Sequence, residues 1–436
     1  MTELSDIFTM DLAAGLAAAW GGAPRVFRRV LRAPVFAEDE FMAGLVGTAT
    51  DYLAAPGAGV PAGRLFVSGE AVTGDRLAPF LPRGLSETCR EYVSRIRQDH
   101  PRDEIGMVLD ACEKHMPATR DRLTPVLHGL FARVGYPARQ NHTCIYAGTY
   151  RTTPFGIHRD DCHVLMFCGV GRKTMAFWPR PYFEHRTDLI AHGKLRARVE
   201  DHRAQATVLE IGSLDVMYWS PDEWHVAISE TNDFHASLSV GLYHDGSSTE
   251  KLLALDFLAA VARESALDLH GLPAAPDGRL SAADLAAGPM APFFEQWGRL
   301  RDVLSRPGEA EFRALVIALR LISSAGYGKL LGPPPAGQPP LDGSLLHCRV
   351  PEALVLARAR HGLMVGANGR VFFYERAADA IEALVRTLRQ GAPCRFEDVI
   401  DPPDAAPGRV IASVIRDLAN AGAVTVRAGT DTAPPA

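Results

Sequence analysis

The chain has 436 residues, of which 47% are hydrophobic and 22% are charged, so it is long enough for two or three domains with proper cores. Its net charge of -5 gives no global reason to bind nucleic acid, and no uninterrupted apolar run approaches the roughly 20 residues of a membrane span. The seven cysteines are odd in number and include no Cys-x-x-Cys, which argues against a disulfide framework and a zinc ribbon.

The N-terminus carries acidic residues at Glu3 and Asp6 and lacks a basic start followed by an apolar run. No secretory signal peptide is therefore expected. Together with the scattered cysteines, this predicts a protein of the reducing cytoplasm.

Residues 1–130 mix helical and extended patterns, and we expect them to support a catalytic core that follows. The predicted elements are helices over Met10–Trp20, Glu38–Leu53, Leu85–Gln98 and Thr119–Val134 and a short strand over Arg64–Val67.

The most informative part of the chain is the sequence His158-Arg159-Asp160. In an extended strand, side chains two positions apart point to the same face, so His158 and Asp160 share one face. Arg159 and Asp161 share the other face, which favours Asp160 over its acidic neighbour as a metal ligand. A histidine beside an aspartate is more often a hydrogen-bonded structural pair, so the prediction depends on the elements that follow.

Two strands are predicted after this motif. Cys162–Phe167 is typical of an apolar strand, Gly169–Arg172 of a turn, and Lys173–Trp178 of a returning strand that Pro179 ends. We therefore predict that the returning strand brings Lys173 back beside the preceding strand.

A further strand pair supplies the third candidate ligand. Gly212–Trp219 is a glycine-started, alternating strand that ends in a tight turn, and Trp224–Ile228 starts the next strand. His225 lies in this second strand, whereas its nearest rivals, His235 and His244, follow no equally clear signature. The remaining histidines of the region are predicted to be surface or core polar groups: His142, His163, His185, His192 and His202.

Three segments together resemble the JmjC-type, cupin-like oxygenases that use Fe(II) and 2-oxoglutarate: Phe155-Gly156-Ile157-His158-Arg159-Asp160, Gly169-Val170-Gly171-Arg172-Lys173-Thr174-Met175-Ala176-Phe177-Trp178-Pro179, and Gly212-Ser213-Leu214-Asp215-Val216-Met217-Tyr218-Trp219-Ser220-Pro221 with Trp224-His225. Within that superfamily, the layout resembles the ribosomal-protein hydroxylase branch, in which a catalytic barrel precedes a helical segment and a winged-helix-like domain. The motifs cover roughly residues 130 to 245.

The resemblance implies an α+β fold with a JmjC-like double-stranded β-helix over residues 131–248. It places His158, Asp160 and His225 on the iron, and Lys173 on the far carboxylate of 2-oxoglutarate. Three protein ligands leave three coordination positions, enough for a bidentate keto acid and for dioxygen. Lys173 is a compact cation that suits a charge-assisted bond to the second carboxylate.

Hydroxyl groups normally complete the hydrogen bonds of that carboxylate. The candidates are Tyr146 and Tyr150 in the preceding strand and Ser237 and Ser239 in the strand after His225. Many relatives carry a threonine close before the first histidine. This chain has Phe155 there, with Thr152 and Thr153 further back, so the sequence leaves the choice of hydroxyl open.

Residues 249–331 have a helical pattern, with helices predicted over Lys251–Arg263, Pro292–Leu304 and Glu309–Ser324. In the related hydroxylases such a segment helps to form a dimer, which predicts a homodimer. Packing against the barrel of the same chain is the alternative. Residues 332–343 are rich in proline and glycine and predict a stiff extended linker.

Residues 344–430 predict a small winged-helix-like domain. Its elements are an apolar segment Ala353–Arg358 of uncertain type, a hairpin with its turn at Asn368-Gly369 between Leu363–Val365 and Val371–Tyr374, helices Ala377–Arg389 and Gly408–Ala421, and the segments Phe396–Ile400 and Val424–Val426. The last helix carries only Arg409 and Arg416 as basic residues, which are few for a helix that binds DNA. An accessory domain or a peptide-recognition domain fits better.

The resemblance implies an enzyme, a dioxygenase that uses Fe(II), 2-oxoglutarate and O2. The expected reaction is hydroxylation of an amino-acid side chain in a protein or peptide, with decarboxylation of 2-oxoglutarate to succinate. N-methyl demethylation by the same chemistry is an alternative. A cupin-like binding or regulatory protein without turnover is another.

Overall fold

The computed structural model describes residues 7–54, 63–72, 76, 79–101, 103–137, 140–186, 189–191, 194–229, 231, 233–244, 309–327, 343–348, 350–359, 361–399 and 406–428. These residues divide into two compact units. The first contains the described residues up to His244 together with residues 324–327, and the second contains residues 309–323 and 343–428.

The first unit contains short and long helices and thirteen strands among its described residues. The helices are α1 (Leu12–Ala19), α2 (Glu38–Ala54), α3 (Cys89–Asp99), α4 (Pro117–Val134), α5 (Pro181–Glu184) and α6 (Val199–His202). The strands are β1 (Arg25–Phe27), β2 (Gly63–Val67), β3 (Glu70–Val72), β4 (Ile105–Asp110), β5 (His142–Gly148), β6 (His163–Val170), β7 (Lys173–Pro179), β8 (Ile190–Ala191), β9 (Lys194–Leu195), β10 (Thr207–Ile211), β11 (Val216–Trp219), β12 (Glu223–Ile228) and β13 (His235–Leu242).

Two antiparallel sheets form the core of this unit. The larger has eight strands in the order β1-β11-β6-β13-β5-β4-β2-β3, and the smaller has three in the order β10-β7-β12. Apolar side chains of both sheets meet in one cluster, including Met166 of β6, Met175 of β7 and Trp219 of β11. The mixed α+β class predicted from the sequence is confirmed.

Each sheet is also covered on its other face. Alternate residues of the large sheet, such as Leu165 and Phe167, pack in a cluster with Leu16 of α1, Phe41 of α2 and Leu127 of α4. Trp178 of the small sheet packs in a cluster with Phe183 of α5 and Val199 of α6. Strands β6 and β7 therefore lie between apolar layers, which explains why both are nearly continuous apolar runs.

The predicted hairpin between residues 162 and 178 is wrong. Strand β6 pairs with β11 and β13 in the large sheet, whereas β7 pairs with β10 and β12 in the small one. The turn at Gly169–Arg172 thus carries the chain from one sheet to the other. A glycine turn between two apolar strands looks the same in both cases, because it does not specify hydrogen-bond partners.

Two other predictions need correction. The predicted strand Gly212–Trp219 begins only at Val216, because Gly212 and Asp215 form a turn in which Asp215 N–H donates to the Gly212 carbonyl at 3.2 Å. The N-terminal region does not only support the core, since β1, β2, β3 and β4 are strands of the large sheet itself. Their distant pairings leave no local signal in the sequence.

The predicted N-terminal helices are confirmed, with ends set by local chemistry. The helix predicted from Leu85 begins at Cys89, because Thr88 and Glu91 form a capping box. The helix predicted from Thr119 begins at Pro117, a residue suited to the first turn.

The second unit has its own apolar core. Its elements are α7 (Glu309–Ser323), β14 (Ser344–Cys348), β15 (Leu354–Ala359), β16 (Gly362–Ala367), β17 (Arg370–Tyr374), α8 (Ala378–Leu388), β18 (Cys394–Arg395), a 3-10 helix (Phe396–Val399), α9 (Ala406–Asn420) and β19 (Val424–Ala428). Its sheets have the orders β18-β14-β19 and β15-β16-β17.

The predicted hairpin at Asn368-Gly369 is confirmed, with positive φ angles of 52° and 81° as its turn requires. The segment of uncertain type is a strand, β15. The winged-helix assignment stays a prediction, as do the domain boundaries. The predicted helices 251–263 and 292–304 and most of the predicted linker 332–343 lie outside the described residues. No helix in the described part of the chain is long and apolar enough to cross a membrane.

The backbone of Gly148 lies unusually close to the neighbouring strand β4. Its φ is +153°, and a Cβ added there would lie 2.0 Å from the carbonyl oxygen of Ile105 on β4. Replacing Gly148 with alanine is therefore expected to lower the free energy of unfolding by more than about 2 kcal/mol. Urea denaturation followed by tryptophan fluorescence measures this change.

Gly212→Ala is the matched control. A Cβ at Gly212 would meet only the Arg172 guanidinium, at 3.6 Å, so we expect a change below about 1 kcal/mol. Equal stabilities for the two variants would contradict the account of Gly148.

Candidate metal centre

The backbones of His158 and His225 are hydrogen-bonded to each other. His158 N–H donates to the His225 carbonyl at 3.1 Å, and His225 N–H donates to the His158 carbonyl at 2.8 Å. The pairing continues upstream, where Thr153 N–H donates to the Ala227 carbonyl at 3.1 Å. Residues far apart in the chain are thus placed opposite each other, and the centroids of the two imidazole rings lie 4.4 Å apart.

The same local arrangement orients both imidazoles. Nδ1 of His158 lies 3.0 Å from the Gly156 carbonyl, and Nδ1 of His225 lies 3.1 Å from the Glu223 carbonyl. Because a carbonyl only accepts, Nδ1 carries the proton in both rings and Nε2 keeps a free lone pair. A backbone acceptor on the second ring nitrogen is typical of metal-binding histidines.

Asp160 completes the group. Its carboxylate oxygens lie 3.8 Å from Nε2 of His158 and 3.3 Å from Nε2 of His225. The three ligand atoms fall within 4.8 Å of one another, and Asp161 is not part of this group. The structure therefore brings together the three residues that the sequence predicted as metal ligands.

The charges of the group suit a cation. Burial and, to a smaller extent, the neighbouring His225 together lower the pKa of His158 to about 4. Burial alone would raise the pKa of Asp160, but the neighbouring His225 and His158 outweigh it, and the pKa falls to about 2. Near neutral pH, His158 is thus a neutral nitrogen donor and Asp160 an anionic oxygen donor, the states in which these groups bind metals.

The candidate ligands face a cavity with an empty volume of about 340 Å³, part of which is open to solvent. Apolar side chains form much of its wall. The lining residues besides the three candidate ligands are Tyr146, Thr153, Phe155, Val164, Met166, Lys173, Met175, Trp219, Ala227 and Ser239.

Lys173 is the first residue of β7 and is only 2% exposed. Its Nζ donates to the Tyr150 hydroxyl at 2.6 Å and lies 4.9 Å from the centre of that ring. No carboxylate in the described part of the chain forms an ion pair with it. Burial lowers the pKa of Lys173 to about 7, because the ammonium has lost its water without gaining a counter-charge.

Two buried polar atoms of the cavity wall also lack partners. They are Oγ1 of Thr153 and Nε1 of Trp219, which form no hydrogen bond within the protein. Unpaired buried polar groups are costly, so their place in a cavity wall indicates a ligand that supplies the missing bonds. The sequence reasoning did not select either residue. Thr153 enters the site through its pairing with β12, and that pairing has no local signal.

The predicted hydroxyl groups lie in different places. Tyr146 and Ser239 line the cavity, and Tyr150 reaches Lys173 from behind the cavity wall. Ser237 is buried and donates to the Tyr146 carbonyl at 3.4 Å, so its hydroxyl already has a partner. Phe155, which stands where a threonine was expected, packs edge-on against the His158 ring at 4.9 Å.

The rival histidines lie elsewhere. His235 is buried beside Tyr150, with ring centroids 4.7 Å apart, and His244 contacts the Trp20 ring at 4.9 Å. His163 accepts from or donates to the Tyr218 hydroxyl at 2.9 Å, as expected of a core polar group. His142 belongs to a separate cluster with Asp110 and Cys144.

The residues present fit a divalent metal such as iron. His158, Asp160 and His225 would hold it through two nitrogens and one oxygen, a donor set that suits Fe(II). The Lys173 ammonium and the unpaired atoms of Thr153 and Trp219 would then meet a polar or anionic molecule in the same cavity.

No protein-family model matches the chain, and no curated protein matches it. Among solved structures, the chain is similar to Escherichia coli ycfD, with 17% identity and a TM-score of 0.48 over 96% of this chain and 99% of that one. A second structure of YcfD, described as a ribosomal oxygenase in complex with cobalt and 2-oxoglutarate, matches with 16% identity and a TM-score of 0.48 over the same shares, 96% and 99%.

The non-heme, alpha-ketoglutarate-dependent carbocyclase SnoK from nogalamycin biosynthesis matches over 34% of this chain and 70% of its own, with 13% identity and a TM-score of 0.24. The structural likeness thus extends over nearly the whole chain only for the ribosomal oxygenase, among these three. At such identities and TM-scores the structural likeness carries no argument about function. A functional assignment therefore rests on the residues of the site.

Proposed function

We propose that this protein is an Fe(II)- and 2-oxoglutarate-dependent oxygenase that hydroxylates an amino-acid side chain in a protein or peptide. One observation carries the proposal. A converging His-Asp-His group shares a cavity with Lys173, a buried cation that has no carboxylate partner among the described residues.

The ligand residues account for the metal. Bound iron, with 2-oxoglutarate and O2 as co-substrates, supplies the oxidation of an unactivated carbon and the conversion of 2-oxoglutarate to succinate. Because His158, Asp160 and His225 offer three donors, they leave coordination positions free for the co-substrates. The backbone carbonyls of Gly156 and Glu223 hold the two imidazoles in the orientation that presents Nε2.

Lys173 accounts for the co-substrate. A keto acid that binds the metal through one end needs a partner for its second carboxylate. Lys173 supplies a buried cation, and a charge-assisted bond in such a place is stronger than one in water. Tyr150 holds the ammonium in position through the 2.6 Å hydrogen bond.

Four further groups suit the polar atoms of the same molecule. Oγ1 of Thr153 and Nε1 of Trp219 are the unpaired atoms of the wall, and the Tyr146 and Ser239 side chains line the cavity beside them. We assign the hydroxyl role left open by the sequence to Thr153. Apolar residues such as Met166 and Met175 form much of the remaining wall.

The substrate class rests on the architecture of the chain. The second unit has a core of its own, and its described part contains strands at the ends of two short sheets. An edge strand can bind an extended peptide by strand addition. We therefore propose that this winged-helix-like unit takes part in binding a polypeptide in the cytoplasm, and that the enzyme acts as a homodimer without binding nucleic acid.

The first test concerns the metal. Asp160→Ala is expected to weaken Fe(II) binding by more than the roughly 10- to 100-fold typical for loss of a residue that only supports a ligand. It should also abolish succinate formation from 2-oxoglutarate. Binding is measured anaerobically by equilibrium dialysis, and succinate by mass spectrometry. Asp161→Ala, the matched control, should retain both properties, and equal losses in the two variants would contradict the ligand assignment.

The second test concerns Lys173. Lys173→Met removes the charge but keeps a long apolar side chain, so 2-oxoglutarate binding should weaken by about 30-fold or more, the equivalent of at least about 2 kcal/mol. The free energy of unfolding should not fall, because the substitution also removes a buried charge without a counter-ion, and such a charge destabilises the folded protein. Calorimetric titration of anaerobic, Fe(II)-loaded protein measures the first quantity and urea denaturation the second. Unchanged 2-oxoglutarate affinity would refute the role of Lys173.

The same lysine predicts a pH dependence. Its pKa of about 7 lies below the ordinary value of 10.5, so above neutral pH the unfolded chain binds a proton that the folded protein does not. Because of Lys173, the free energy of unfolding therefore increases as the pH rises from about 7 towards 10.5. Affinity for 2-oxoglutarate should fall over the lower part of this range, by up to about tenfold per pH unit, and Lys173→Met should lack this dependence.

The third test concerns the substrate. Candidate ribosomal proteins and peptides incubated with the enzyme, Fe(II), ascorbate and 2-oxoglutarate should gain the mass of one oxygen on one residue. Tandem mass spectrometry locates the change. Loss of a methyl group would indicate demethylation instead of hydroxylation. A polypeptide substrate would be refuted if no polypeptide stimulated succinate formation.

A further inference from the structure

A second group of metal-binding side chains lies on the large sheet, outside the candidate iron site. It consists of Asp110 at the end of β4 and of His142 and Cys144 on β5. Asp110 is the direct register partner of Cys144, and His142 and Cys144 are two positions apart, so all three project from one face of the sheet. Their convergence follows from strand register and does not depend on a flexible loop.

The distances suit a metal ion. Sγ of Cys144 lies 3.2 Å from Oδ1 of Asp110 and 3.6 Å from Nε2 of His142, and that nitrogen lies 3.7 Å from the same oxygen. In a tetrahedral zinc site, typical bond lengths place such donor atoms about 3.3 to 3.6 Å apart. The observed separations bracket that range, so small side-chain adjustments would complete the geometry.

We propose that Asp110, His142 and Cys144 form a second metal site, which takes a thiophilic divalent cation such as Zn²⁺. A thiolate with one imidazole and one carboxylate favours zinc, whereas two imidazoles and a carboxylate suit Fe(II). Three protein ligands leave a fourth position open. The side chain of His142 is 43% exposed, so a metal ion and a water molecule can reach it.

Cys144 would bind the metal ion as a thiolate. The thiol is 5% exposed and lies within hydrogen-bond distance of Oδ1 of Asp110, to which it donates. On metal binding, the thiol would release its proton to solvent. A nucleophilic cysteine would instead need an accessible sulfur, which Cys144 lacks.

One neighbouring cation must be accommodated. A guanidinium nitrogen of Arg64 lies 3.5 Å from Oδ1 of Asp110, but 46% of the arginine side chain is exposed. This long, half-exposed side chain can turn towards solvent when a bound metal ion replaces its charge beside Asp110. Tyr146, two positions after Cys144 on the same face, lines the cavity of the candidate iron site. The second metal would therefore lie along the strand that leads into that cavity.

Cobalt(II) tests the proposal, because thiolate bound to cobalt produces a charge-transfer absorption in the near ultraviolet that a His-Asp-His site cannot produce. Metal-free full-length protein is titrated with Co²⁺. We expect the wild type to show this absorption and Cys144→Ser to lose it. Asp160→Ala should keep it, which separates this site from the candidate iron site. Cys168→Ser is the matched control and should also keep it, since the hydrogen bonds of that buried thiol on β6 go to backbone carbonyls.

Absence of the absorption in the wild type, or its full retention in Cys144→Ser, would overturn the proposal. If Cys144→Ser does not fold by circular dichroism, His142→Ala decides. That half-exposed residue can be replaced at little cost, and its loss should weaken cobalt binding roughly tenfold or more, as the loss of one ligand requires. Unchanged cobalt affinity in His142→Ala would refute the site.

Discussion

The backbone pairing of His158 with His225 is the interaction on which the candidate site depends. Two hydrogen bonds, of 3.1 and 2.8 Å, join an irregular segment before β6 to the small sheet. Each histidine then lies two residues after a carbonyl that accepts its Nδ1–H, which turns both Nε2 atoms towards Asp160. The positions of the two histidines thus come from main-chain hydrogen bonds, and the orientation of their rings comes from the bonds of Nδ1 to backbone carbonyls.

Lys173 adds an energetic constraint. Placing an ammonium where it has lost its water is unfavourable, and only Tyr150 and the surrounding rings compensate. Hydration favours exposure of the ammonium. The packing of the two sheets and of the covering helices must therefore keep it buried. Such a buried charge is tolerated where a ligand uses it, which is why Lys173, Thr153 and Trp219 together argue for an anionic molecule in the cavity.

The sequence predicted local features well. Strand alternation selected Asp160 over Asp161, although among residues 158–161 only His158 takes part in an isolated bridge and none lies in a regular strand. The Asn368-Gly369 turn was equally predictable, because its two positive φ angles suit few other residues. The helices α1 to α4 were found to within a few residues, since their apolar periodicity is local.

The pairings between distant strands could not be predicted. A turn after β6 fits both a hairpin and a passage to a second sheet, and only the packing of the apolar layers decides between them. Thr153 and Trp219 could not be predicted for the same reason. Their unpaired atoms become relevant only when the folded chain places both residues in one cavity wall.

By itself, the sequence determined which residues could bind a metal and on which face of the chain they lie, because these properties depend on residue type and on the two-residue repeat of an extended backbone. Only the tertiary structure decided that His158 pairs with His225, that Lys173 is buried without a carboxylate partner in the described chain, and that His142 lies beside Asp110 and Cys144. These contacts arise from strand register and from burial, which are properties of the whole folded unit and of no single segment.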